Sequence, residues 1–231
     1  MTEGAPPVAP LVAPAAAMPV TMPEEILLLT LDDATGRPVG AAGMAADLAM
    51  AGAMLMELAL AGRIDSDPDQ LYQTDAAPLG EAPLDALLAR IGAQQPPQLS
   101  RWWMETLARE AAKLRAAWLE RLVGRGILKR EKGRVLWVFP DHRYPKRDDR
   151  QTREVRARLR GVILADEIPE PRDAMLIGLC RITGLVPLLL SPEEAARAEG
   201  RIAQLAALEE MARSLAASAR DLSFGGSHRD G

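Results

Sequence analysis

The chain has 231 residues, 28 basic and 32 acidic side chains, a net charge of −4 and one cysteine. That residue, Cys180, excludes an internal disulfide and fits a reducing compartment. Aromatics are 3% of the residues, so a core must come from Leu, Ala, Val, Ile and Met, which favours helices.

Residues 1–20 are rich in Ala and Pro, lack a basic n-region and read as a disordered tail, not a signal peptide. Order begins at Thr21-Met22-Pro23-Glu24, a capping-box pattern that opens a helix over 24–31. Asp32-Asp33-Ala34-Thr35-Gly36 closes it. Turn chemistry, with Gly36 at positive φ, accounts for that acidic pair better than metal or acid–base chemistry does. The next helix, 47–61, is apolar nearly all round and rich in Ala and Gly, the pattern of a buried hub. Its Met50, Met54 and Met56 read as core filler. The run around it, 48–62, is broken by Glu57 and falls short of the ~18–20 residues a membrane span needs. Ile64-Asp65 and Leu71-Tyr72 flank Asp67-Pro68-Asp69 as a small hairpin. A helix over 83–92 follows, with Leu84, Leu87, Leu88 and Ile91 on one face, and Gln95-Pro96-Pro97 breaks the chain after it.

Residues 98–139 form a helix–helix–hairpin unit of winged-helix-like outline. Ser100 can cap a helix carrying Trp102, Trp103 and Leu107, and a second helix carries Leu114, Trp118, Leu119 and Leu122. Gly126 ends it. The hairpin then reads as Ile127-Leu128, a charged turn over 129–134, and a strand Val135-Leu136-Trp137-Val138-Phe139. That second strand does not alternate, so it is either buried on both faces or greasy on an outer one. A loop over 140–145 leads to a basic amphipathic helix, 147–164, with Val155, Leu159, Val162 and Ile163 inward and Arg153, Arg156 and Arg160 on one flank. Helix 172–183 holds Cys180 in an apolar stripe, and Ser191-Pro192-Glu193-Glu194 starts a last helix running to 215. Residues 216–231 read as a frayed end. The predicted fold is mainly α: one compact helical domain over 21–215 with a protruding β-hairpin.

Charge is segregated. Residues 129–160 hold 12 Lys and Arg against five Asp and Glu, a local +7, which leaves −11 for the remainder. Only four of the basic residues are Lys (Lys113, Lys129, Lys132, Lys146), which with the heavy use of Ala points to a GC-rich, bacterial genome. Motifs for chemistry are missing. His142 and His228 lack metal-ligand spacing, Cys180 has no His nearby in sequence, and no phosphate loop, G-x-S-x-G elbow or zinc signature occurs. The sequence therefore reads as a non-enzyme with no cofactor.

Five stretches, in order, resemble the Golgi phosphoprotein 3 family: 24–36 (EEILLLTLDDATG), 54–64 (MLMELALAGRI), 78–88 (PLGEAPLDALL), 95–103 (QPPQLSRWW) and 120–128 (ERLVGRGIL). The resemblance implies a peripheral membrane protein that reads phosphatidylinositol 4-phosphate. It also implies a hairpin that touches membranes and, in some members, mediates self-association. The family's headgroup pocket uses one Trp and several Arg. On this chain the Trp position falls at about Ala42, and one Arg position falls at Ala51. Two more fall at about Ala112 and at Arg115, where the Arg is kept with Lys113 nearby.

Three readings compete for the basic, greasy hairpin. In the first, anionic lipid headgroups meet Lys113, Arg115, Arg130, Lys132 and Arg134 while Leu136, Trp137, Val138 and Phe139 enter the interface. This places the protein in the cytoplasm, reversibly bound to the cytoplasmic membrane face. In the second, helix 110–125 reads nucleic acid with Lys113, Arg115, Arg121 and Arg125, but it is poor in Asn, Gln and Ser for base edges. The third is a protein-binding adaptor that uses the Ala/Pro tail and the basic face as handles.

Overall fold

The computed structural model describes residues 19–33, 35–39, 42–135, 139–147, 149–165 and 167–207. Its helices gather around α1, Met22–Leu29, whose eight residues are all buried. The Thr21 N–H donates to Glu24 Oε2 at 2.8 Å, so the cap forms where the sequence places it. A fully buried helix with two adjacent glutamates needs partners for both charges. Glu24 accepts a hydrogen bond from Arg125 at 2.6 Å and lies 3.2 Å from Arg121. Glu25 accepts from Arg158 at 2.8 Å and from Arg172 at 3.3 Å. The second network continues through Glu57, which takes Arg172 at 3.0 Å and the Met22 N–H at 2.6 Å. It ends at Asp173, which takes Arg158 at 2.6 Å.

Helix α2, Ala42–Leu60, packs along α1. It is the buried hub that its composition predicts. At Gly52 an added Cβ would sit 2.6 Å from Leu179 Cδ1 and 3.6 Å from Met104 Cε, so the missing side chain is what lets two neighbouring helices close on α2. The two central helices divide the core. Leu27, Leu28, Met50, Met54 and Leu58 face one cluster, built with Trp103 and Trp118. Met22, Ile26, Leu29, Ala49 and Ala53 face the other, built with Leu159, Leu176 and Ile202.

Strands β1, Ile64–Ser66, and β2, Leu71–Gln73, form the expected small antiparallel hairpin. Helix α3, Ala82–Ala93, buries the predicted Leu84, Leu87, Leu88 and Ile91. Helix α4 spans Ser100–Arg109, with Leu99 and not Ser100 at the N-cap position, and α5 spans Ala111–Gly124. Trp103 is buried, while its neighbour Trp102 stays 36% exposed and meets it edge-on. Helices α6, Arg150–Leu164, and α7, Pro171–Ile182, follow the hairpin. A 3₁₀ turn, Val186–Leu188, leads into a helix, α8, described over 192–207. Residues 1–18 of the predicted tail, 208–215 of the last predicted helix and the predicted frayed end, 216–231, lie outside the described residues.

The large hairpin departs from the sequence reading. Its strands are β3, Glu131–Val135, and β4, Phe139–Arg143, in a two-stranded sheet of their own. Val135 pairs with Phe139 and Glu131 with Arg143. The charged stretch taken as a turn is thus largely strand, the stretch taken as a loop after 139 is largely strand, and the two ends of the apolar run, Val135 and Phe139, fall on opposite strands. The physical reason lies at both ends. Ile127 and Leu128 are 6% and 0% exposed and belong to the core, so they root the arm and do not form it. Pro140 argues against a strand by pattern, yet a two-stranded sheet has two free edges and tolerates a missing N–H.

Helix α8 is tied to α6 by charge. Arg160 donates to Glu194 at 2.9 and 2.6 Å, and the Ser191 N–H donates to the same carboxylate at 2.9 Å. The Arg160 guanidinium holds the Glu194 carboxyl at about 2, against an ordinary value of 4.5. A depressed carboxyl stabilises the fold above its unfolded value and loses that contribution as pH falls through its folded one. Thermal melts should therefore drop between pH 4.5 and 2, and Glu194→Gln should flatten part of that drop. Equal acid limbs in the two proteins would mean that the pair does not hold α8.

Candidate functional site

The hairpin is rooted firmly at its base. Lys129 N–H donates to Pro145 O and Arg147 N–H to Ile127 O, each at 2.9 Å, around a bridge between Leu128 and Lys146. Tyr144 N–H donates to Gly36 O at 3.1 Å. Gly36 has φ 63, and an added Cβ would run into the Tyr144 and Pro145 backbone, so glycine is required on both counts. The predicted turn is therefore a seat for the hairpin.

Lys146 completes the root. Its side chain is 2% exposed, donates to Leu28 O at 3.1 Å and Leu31 O at 3.4 Å at the end of α1, and pairs with Asp33. Burial pushes the Lys146 ammonium down from its ordinary value, against the pull of Asp33. Burial pushes the Asp33 carboxyl up, but hydrogen bonds from Lys146 and from Arg156 at 2.6 Å outweigh it and hold the group low. The acidic pair read as a solvated turn thus supplies one of the hairpin's anchors.

The basic stretch is less of a surface than its +7 suggests. On α6, Arg156 goes to Asp33, Arg158 to Glu25 and Asp173, Arg160 to Glu194, and Arg153 to Asp149. The flank shared by Arg153, Arg156 and Arg160 is spent on three separate acids. Arg130 is paired with Glu120. Lys129 and Arg147 remain, both exposed and with no side-chain partner among the described residues. They sit on either side of the root bridge. Sequence reasoning did not join them, because the bridge that makes them neighbours connects the two ends of the arm.

The other expected site residues fall in different places. Lys113 is exposed on α5, and Arg115 is half-buried on the same helix, paired with Asp47 of α2. Two positions apart on a helix is a turn of ~200°, so Lys113 and Arg115 leave α5 on different sides. Of the positions where the family pocket has its other residues, Ala51 is 0% exposed inside the core, Ala112 is exposed, and Ala42 opens α2. Lys132 and Arg134 lie on β3 and Phe139 begins β4. Leu136, Trp137 and Val138 lie outside the described residues, between the paired ends Val135 and Phe139.

Helix α5 turns most of its cations inward: Arg121 pairs with Glu24 and Glu81, Arg125 with Glu24 and Arg115 with Asp47. Cys180 is buried in the second core cluster, and burial pushes its thiol up to about 12, far from the thiolate that nucleophilic chemistry needs. Among the described residues no group of three or more His, Cys, Asp and Glu could hold a metal ion, and no helix is long and apolar enough to cross a membrane.

The family model for Golgi phosphoprotein 3 (GPP34) matches residues 22–222. No curated protein matches the chain.

Proposed function

The chain belongs to the Golgi phosphoprotein 3 family, and on that premise we propose that it is a peripheral membrane protein whose hairpin docks on anionic lipid. The observation that carries this reading is the hairpin register. Val135 pairs with Phe139, with Leu136, Trp137 and Val138 between them in sequence, and the root of the arm bears Lys129 and Arg147, both without a side-chain partner among the described residues. Apolar and aromatic side chains at headgroup depth, with cations behind them, suit a lipid interface. Each such cation near an anionic surface contributes ~1 kcal/mol, so Lys129, Arg147, Lys132 and Arg134 together give reversible attachment without a lipid anchor. The protein then works in the cytoplasm and visits the cytoplasmic membrane face.

The nucleic-acid reading loses ground on α5. Of Lys113, Arg115, Arg121 and Arg125, three are engaged with acids of the fold, which leaves Lys113 as a poor reader of bases or phosphates.

Co-sedimentation with vesicles tests the proposal. Binding should be stronger to phosphatidylglycerol-containing vesicles than to phosphatidylcholine alone and should weaken as salt shortens the Debye length from ~10 Å at 0.1 M. Trp137→Ala with Phe139→Ala should lower binding at least several-fold with little change in melting temperature. Unfolding of that double variant would assign those side chains to the core, and equal binding to zwitterionic vesicles at high salt would remove the electrostatic half of the reading.

A further inference from the structure

The register of the arm sorts its charges by side. Lys132 pairs with His142, Glu131 with Arg143, and the root bridge joins Leu128 to Lys146, so one register runs from the root to Val135 and Phe139. Successive residues of a strand alternate between the two sides of a sheet, and directly paired residues share a side. One side of the ribbon therefore holds Glu131, Gly133 and Val135 with Arg143, Asp141 and Phe139, and both acids of the two strands are on it. The other side holds Lys132 and Arg134 with His142 and Pro140, and no acid among the described residues of either strand. Towards the root this second side continues through Arg130, which Glu120 of α5 holds, to the buried Leu128 and to Lys146, which Asp33 holds.

We propose that His142 makes the acid-free side of this ribbon a pH-dependent contact for an anionic lipid surface, weak at neutral pH and stronger in mild acid. The inference rests on the membrane reading above and adds to it a side and a regulator. An imidazole ordinarily titrates near ~6.5, and a neighbouring cation lowers that value. His142 stands directly opposite Lys132, at the ~4.5–5.5 Å Cβ spacing of cross-strand partners, with Arg130 and Arg134 on the two diagonals. The acids nearest to it in the register, Asp141 and Glu131, stand on the other side, and Glu120 is engaged with Arg130. In the free protein His142 is therefore neutral at pH 7. An anionic surface offsets the three cations and favours the imidazolium, so binding takes up a proton. By linkage, affinity rises as pH falls through the titration of His142.

The experiment is co-sedimentation of the full chain with phosphatidylglycerol–phosphatidylcholine vesicles at about pH 7.5 and about pH 5.5. The phosphodiester of these lipids keeps its charge throughout, so a change in affinity belongs to the protein. The wild-type chain should bind about fivefold more tightly at the lower pH, the gain expected from one added cation near such a surface. His142→Gln should lose that gain, and His142→Lys should bind tightly at both values. His228→Gln, at the only other histidine, should keep the gain. Asp141→Asn raises the charge by one at the neighbouring position on the other side of the ribbon. With a Debye length of ~8 Å at 0.15 M salt, it should change affinity less than about twofold. A pH gain that survives in His142→Gln overturns the role of His142, and Asp141→Asn strengthening binding as much as His142→Lys overturns the choice of side. Either result leaves the membrane reading standing. A wild-type chain that binds these vesicles at neither pH removes the membrane reading and this inference with it.

Discussion

Replacing Glu24 by alanine is expected to cost about 3 kcal/mol of unfolding free energy, at the low end of the ~3–5 kcal/mol for breaking a buried ion pair from one side. The Glu24 carboxylate is 0% exposed and takes the Thr21 N–H at 2.8 Å and Arg125 at 2.6 Å, with Arg121 at 3.2 Å. Its removal leaves Arg121 to Glu81, whose own carboxyl burial already pushes up, and takes from Arg125 its buried partner in α1. The low end is appropriate because Arg121 and Arg125 keep 25% and 19% exposure, so water recovers part of the loss. For a chain of this size the cost corresponds to roughly 10 °C in Tm. Glu24→Gln should lie between, since an amide oxygen still caps α1 but carries no charge. As a control, Glu105→Ala removes an exposed i,i+4 partner of Arg101 and should leave the urea midpoint where it was. If Glu24→Ala behaves like Glu105→Ala, the network is ornamental and α1 is held by its leucines.

How far the sequence foretold this differs by element. The apolar faces of α3, α5 and α6 are local and periodic, and Leu84, Trp118 and Leu159 are buried as their spacing predicts. The hub character of α2 is equally local, since a helix apolar on every side has to be enclosed. Glu24 and Glu25 are another matter. In sequence they are an ordinary acidic first turn, and their burial depends on four arginines from three other helices. Nothing in a 3.6-residue period reports a partner a hundred residues away. The same holds for Arg156 and Arg160, whose acids, Asp33 and Glu194, lie on opposite sides of them in the chain. The hairpin failed for a different reason. A run of five apolar residues fits a buried strand as well as a greasy reversal, and only the pairing partner decides. That partner was masked by Pro140. The candidate site inherits both limits: several cations counted as a surface prove to be internal ties, and Lys129 and Arg147, without a side-chain partner among the described residues, flank a bridge that joins distant parts of the chain.

The second large effect is expected at that root. Lys129→Glu with Arg147→Glu should reduce affinity for anionic vesicles about a hundredfold at 0.1 M salt. Each cation near such a surface contributes ~1 kcal/mol, so reversing two removes two attractions and adds two repulsions, ~4 kcal/mol in all at low salt. Unscreened, that is a factor near 10³, since ~1.4 kcal/mol is tenfold; with a Debye length of ~10 Å the outer part of the interaction is lost, and about a hundredfold survives. Stability should not follow, because both side chains are exposed and neither pairs with an acid among the described residues. Arg153→Glu is the matched control. It sits exposed on α6 beside Asp149, outside the hairpin root, and should change vesicle binding little. Reversal at Arg130, Lys132 and Arg134 tests the arm itself and should weaken binding to all anionic vesicles alike. The two sets also separate two geometries. If the root pair matters and the arm does not, the protein lies down on its base; if the arm matters and the root does not, contact ends above Lys129 and only the tip reaches lipid. A root reversal with no effect at low salt would show that Lys129 and Arg147 never approach the bilayer.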